Sequence, residues 1–143
     1  MNLSSNVKVS VVSPSAVVAT STIVGTTLDM SGFDGVMFIL AVGAVTDGTP
    51  GVKASSGAAA NGSDKQDLLG ALASVATSND CAVLDVYRPL DRYVTPQIVR
   101  GGSTGAIVDS LIAIQYKPGF KPTTQDATVI ATTLVVSPAY GVA

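Results

Sequence analysis

Hydrophobic and polar positions alternate near the start of the chain. In Val7-Lys8-Val9-Ser10-Val11 the three valines fall on one face of an extended segment, which predicts a half-buried strand stopped by Ser13-Pro14. Residues 16–27 form a second run rich in Val, Ile and Thr. A turn signal over 29–35 opens onto Val36-Met37-Phe38-Ile39-Leu40-Ala41-Val42-Gly43, apolar at every position. Such a run predicts a central strand covered on both faces. Asp47-Gly48 and Pro50 make 46–51 a turn, and 52–56 a short return strand. Residues 55–67 read as a polar loop of Ser, Gly, Ala, Asn and Asp.

Segment 67–75 is the one place where a helix is predicted, with Asp67 as its N-cap. Gly70 weakens that reading and leaves an irregular segment as the alternative. The β habit then resumes. Residues 81–87 form a strand broken at Arg88-Pro89, and 92–100 a strand that Pro96 demotes to an edge or a bulge. Residues 106–116 form the longest clean strand, with Val108, Ile112, Ile114 and Tyr116 on one face. Lys117-Pro118-Gly119 ends it, and a tail over 123–143 carries a strand of its own at 127–137. Seven or eight strands separated by turn signals predict an all-β fold, a single-domain β-sandwich of jelly-roll type over 1–122. The tail is too apolar to hang free, and either completes the home sheet or engages a neighbouring subunit.

Composition narrows the function more than the fold. The chain has no histidine, tryptophan or glutamate, one cysteine, and ten acidic residues that are all aspartate. Without histidine the usual general base and the commonest metal ligand are both missing. A lone Cys81 makes neither an intrachain disulfide nor a cysteine-rich zinc site, and reads as a small buried hydrophobe. The segment Asn61-Gly62-Ser63-Asp64-Lys65-Gln66-Asp67 lacks the order and the closing glutamate of an EF-hand calcium loop. No catalytic residue, cofactor site or metal site is therefore expected, and the chain reads as a structural protein rather than an enzyme. A formal net charge of −2 argues against a nucleic-acid surface. The longest apolar stretch, 35–44, is too short for a membrane helix, and no signal peptide is seen, so synthesis in the cytoplasm is expected. The mean hydropathy of +0.47 is high for a soluble monomer and implies apolar surface hidden against partners.

One stretch is unusually rich in interface-forming residues: Asp85-Val86-Tyr87-Arg88-Pro89-Leu90-Asp91-Arg92-Tyr93-Val94. Tyr and Arg together typify interface hot spots. Asp85, Tyr87, Arg88, Asp91, Arg92 and Tyr93 are thus candidate contact residues. The alternative is a hairpin whose Asp and Arg satisfy one another.

Three pieces together carry a resemblance. Ser31-Gly32-Phe33-Asp34-Gly35-Val36-Met37-Phe38 leads to Val42-Gly43-Ala44-Val45-Thr46-Asp47-Gly48-Thr49. The tyrosine–arginine stretch from Leu84 to Val94 follows, and then Ala113-Ile114-Gln115-Tyr116-Lys117-Pro118-Gly119-Phe120-Lys121-Pro122. Over about residues 29–126 this order resembles the capsid decoration, or cement, proteins of tailed bacteriophages. The resemblance implies a compact β-domain bound as a symmetric homo-oligomer, dimer or trimer, to the major capsid protein on the virion exterior. The N-terminal residues, loop 61–67 and the tyrosine–arginine hairpin would make the shell contacts. The other classes open to such a chain are a head-closure or tail-associated β-sandwich and a cell-surface adhesion or carbohydrate-binding module.

Overall fold

The computed structural model describes residues 2–136, 140 and 141. A short 3-10 turn, Leu3–Ser5, leads into ten strands: β1 Val7–Ser13, β2 Ala16–Ala19, β3 Ile23–Val24, β4 Leu28–Asp29, β5 Phe33–Val45, β6 Gly51–Gly57, β7 Gln66–Ser74, β8 Cys81–Tyr87, β9 Tyr93–Val99 and β10 Ala106–Pro118. They form two antiparallel sheets, β1-β10-β5-β8 and β3-β9-β6-β7. β2 continues β1 along the same edge of β10, and β4 lies end to end with β3 on β9. Counting each collinear pair as one strand gives eight strands in the order of a jelly roll.

The sheets meet over one core. Val36, Phe38, Leu40 and Val42 of β5 and Val108, Leu111 and Ala113 of β10 belong to the same buried cluster as Val52 and Ala54 of β6 and Val94 and Ile98 of β9. β5 is the central strand expected over 36–43, between β10 and β8, but it is covered on one face only: Met37, Ile39 and Ala41 are half-buried on the outer side, where no second layer packs among the described residues.

Several expectations are corrected, each for a local reason. Residues 67–75 are not helical. β7 pairs with β6, and Asp67 accepts hydrogen bonds from Ser55 Oγ (2.6 Å) and Lys53 Nζ (2.8 Å) instead of capping a helix. The register with β6 breaks between Lys53 and Ser55, and Gly70, at φ +75°, lies in the extra β7 chain opposite that break.

β9 is not an edge strand either. Pro96 is tolerated because the neighbour on that side is interrupted between β3 and β4, where Gly25 N donates to the Pro96 carbonyl (2.9 Å). In β10 one extra residue between Val108 and Ser110 flips the alternation. Val108 is buried with Leu111 and Ala113, while Ile112, Ile114 and Tyr116 lie on the opposite, outer face. Val7, Val9 and Val11 do share a face, but it too is the outer one, and Ser10, Val12 and Ser13 are the buried residues of β1. Cys81 is exposed rather than buried, because only Ala82, Leu84 and Val86 of β8 point inward.

Residues 127–136 form no strand, and Ser137 lies outside the described residues. The preceding stretch is fixed along the free edge of β1 by side chains. The Gln125 amide donates to the carbonyls of Ser4 (3.0 Å) and Val7 (2.8 Å) and accepts from Val9 N (2.9 Å). It thereby occupies two backbone positions of β1 as a residue of a parallel neighbouring strand would. Thr128 Oγ1 accepts from Val11 N (3.0 Å), and Thr123 N donates to Ser5 O (3.1 Å). The edge of β1 is thus blocked by side chains without a further strand.

Candidate interaction surface

The inward flip of Leu111 and Ala113 leaves the β1-β10-β5-β8 sheet apolar on its outer face as well. Val7 and Val9 of β1, Ile114 of β10 and Met37 of β5 line an open groove of about 930 Å³ there. Val129 and Ala131 of the C-terminal segment form part of its wall. Leu3 of the N-terminal turn and Lys121 also line it, so the N-terminal turn and the segment that follows β10 border the same surface.

A polar network closes one end of the face. Gly35 pairs with Tyr116 on one side and with Tyr87 on the other. Any side chain at Gly35 would collide with the Tyr116 ring, so the glycine lets the phenol lie across β5. Tyr116 Oη then donates to Asp85 Oδ1 on β8 at 2.7 Å. Burial first, and the adjacent Asp85 second, push the Tyr116 phenol above its ordinary value of 10 and keep it a donor.

Tyr87, half-exposed, lies between two cations. The Arg88 guanidinium is 5.3 Å and the Lys117 ammonium 4.9 Å from its ring centre. Arg88 (φ 53°) and Lys117 (φ 51°) both adopt the left-handed backbone region, unusual outside glycine. Neither forms a salt bridge among the described residues.

The six candidate contact residues therefore divide. Asp85, Tyr87 and Arg88 stand at the end of the apolar face. Arg92 instead grips Asp29 of β4 with two hydrogen bonds (2.9 and 2.7 Å) and covers the Tyr93 ring at 5.2 Å. Asp91 accepts from Ser56 Oγ of β6 (3.1 Å). The stretch is not a hairpin, because β8 and β9 belong to different sheets and the turn between them crosses from one to the other. Its acids and arginines do not satisfy one another, and its second half ties the β3-β9-β6-β7 sheet together.

Arg92 holds the Asp29 carboxyl below its ordinary 3.8. Three backbone N–H groups, led by Gly105, do the same for Asp47, and Lys53 leads the lowering at Asp67. A lowered folded-state pKa adds stability that is complete above the unfolded value and disappears as pH falls through the folded value. The melting temperature is therefore expected to hold between about pH 5 and 8, where no histidine titrates, and to fall below about pH 4. Thermal melts across that range check this, and a maximum near pH 3 would contradict it.

Loop 58–65 is folded on its own acid: Asp64 accepts from Ala58 N (3.0 Å) and Ala59 N (3.0 Å). Among the described residues no group of three or more His, Cys, Asp or Glu is placed to hold a metal ion. Ser5 and Lys8 have the spacing of a serine–lysine pair, but Lys8 faces Asp126 at 3.8 Å and Ser5 Oγ faces Asn2 O at 3.5 Å. Neither activates the other. No helix among the described residues is long and apolar enough to cross a membrane.

Sequence reasoning missed the groove, the Gly35–Tyr116–Asp85 bridge and the side-chain clasp by Gln125 and Thr128. No family model, curated protein or solved structure matches the chain.

Proposed function

We propose that the protein is a structural virion component that binds the outer surface of a tailed-bacteriophage capsid and cements contacts between major capsid protein subunits. The observation that carries this reading is a sheet apolar on both faces, whose outer face is open and edged by the Tyr87–Arg88–Lys117 cluster. Such a surface suits burial against protein. A sandwich built around one core presents it rigidly, and many copies on a lattice multiply a modest contact. Jelly rolls also serve as viral capsid domains and as lectins, so the fold is compatible with the role without specifying it. The sequence resemblance to decoration proteins points the same way.

Arg88 and Lys117 form no salt bridge among the described residues and can meet carboxylates of the shell, whereas Arg92 is committed to Asp29. The Arg88→Ala/Lys117→Ala double variant is expected to fold normally and bind shells at least about tenfold more weakly, the equivalent of about 1.4 kcal/mol. Co-sedimentation with shells measures this, and unchanged occupancy removes the cluster from the interface. Copy number in purified virions separates the alternatives. A number proportional to the shell subunits supports decoration, one ring's worth a head-closure or tail part, and absence from virions overturns the reading.

A further inference from the structure

We infer that Asn61 is a site of spontaneous deamidation, and that its conversion to isoaspartate releases loop 58–65 from the β3-β9-β6-β7 sheet. Asn61-Gly62 is the only asparagine–glycine pair in the chain; the other asparagines precede Leu3, Val7 and Asp80. Glycine matters because the backbone nitrogen of the following residue is the nucleophile, and a side chain there would obstruct its approach.

The loop prepares the electrophile and withholds the nucleophile. The Asn61 side chain is exposed, and its Oδ1 accepts a hydrogen bond from Ser63 N at 3.0 Å. That donor draws charge away from Cγ and is in place to steady the oxyanion that forms when Cγ is attacked. The Gly62 nitrogen, by contrast, donates to Ala59 O at 2.9 Å. Gly62 is buried at φ +66°, where a Cβ would lie 2.8 Å from Thr95 Oγ1 and 2.9 Å from Thr27 Oγ1. The loop tip is thus docked on the sheet through a residue without a side chain. Asp64 holds it there by accepting from Ala58 N and Ala59 N, both at 3.0 Å. Attack therefore waits for a local opening that frees the Gly62 N–H.

In the opened loop the Gly62 N–H loses its proton to hydroxide, and the nitrogen attacks Asn61 Cγ. The new N–Cγ bond closes a five-membered succinimide. The Cγ–Nδ2 bond breaks, and ammonia leaves with a proton taken from water. A second water then opens the ring. Attack at Cγ gives aspartate, and attack at the backbone carbonyl gives isoaspartate; nothing is oxidised or reduced. Isoaspartate routes the main chain through Cβ and Cγ, one carbon longer than before. Gly62 fits closely against two threonine hydroxyls, so the lengthened chain cannot keep it seated.

The test incubates the purified full chain in mildly alkaline buffer and follows residue 61 by peptide mapping, with isoaspartate methyltransferase labelling to separate the two products. Asn61 is expected to react ahead of Asn2, Asn6 and Asn79, and more slowly than in the same chain unfolded in urea. Asp64→Ala loses the carboxylate that closes the loop, and should react at least about threefold faster than the wild type. Circular dichroism checks that this variant folds, and Asn61→Gln should leave the site unlabelled. The product carries one more negative charge, so anion exchange isolates it. Its amides in loop 58–65 should lose hydrogen-exchange protection while those of β5 and β10 keep theirs. A wild type whose Asn61 stays intact throughout, or an Asp64→Ala variant that reacts no faster, would overturn the inference. So would an isoaspartate form whose loop is protected as before. None of these measurements involves a shell, so the proposed function stands or falls separately.

Discussion

Phe38→Ala is expected to lower the unfolding free energy by about 3–5 kcal/mol, the range for a large aromatic truncated in a close-packed core. Phe38 is fully buried on the inner face of β5, level with Ala113 of β10 and Leu84 of β8. Its neighbours are backbone-fixed strands of both sheets, which cannot collapse far into the space left. Met37, one residue earlier, faces the outer groove, so Met37→Ala is expected to cost clearly less. Urea unfolding of the two variants checks the pair. Equal losses would mean that the two faces of β5 are wrongly assigned.

The second large effect is expected at Arg100. Its side chain is 5% exposed, and its guanidinium donates to Ser21 O and Val17 O (both 2.8 Å), Ser21 Oγ (3.0 Å) and, more weakly, Ala106 O (3.5 Å). One cation thus holds the β2–β3 connection against the start of β10, with carbonyls and a hydroxyl as acceptors and no carboxylate. Arg100→Met keeps much of the apolar stem but removes the charged donor from the part-buried carbonyls of Val17 and Ser21. A loss of about 2–4 kcal/mol follows, or on the order of 10 °C in melting temperature. Arg100→Lys should rescue little, because a single ammonium cannot reproduce the planar fork. A shift below about 2 °C in Arg100→Met would show that the guanidinium contributes no net stability.

The core-forming strands were legible because their patterns are local. The run 36–43 is apolar throughout and lies at the centre of its sheet, and 81–87 matches β8 to the residue. The errors arose where one residue's placement depends on another strand. The extra residue between Val108 and Ser110 reverses the face of everything after it, and no periodicity count anticipates a bulge set by pairing with β5. Leu68, Ala71, Leu72 and Val75 have the spacing of one helix face, and pairing with β6 overrides it.

The candidate surface was legible only at its rim. Tyr87 and Arg88 stood out by composition, but Lys117 joins them from thirty residues away. The groove itself was hidden because valines on an outer face look like valines on an inner one. Arg100 was one of eight scattered cations until the β2–β3 connection folded over it.

We propose that this apolar face holds a capsid together. The most direct test of this is the rupture temperature of shells prepared without the protein, measured before and after the purified chain is added. The protein is expected to bind the shells and raise the temperature at which they release their contents, with a smaller rise for Arg88→Ala/Lys117→Ala. Shells that fail to bind the protein, or that bind it and rupture at the same temperature, would contradict it.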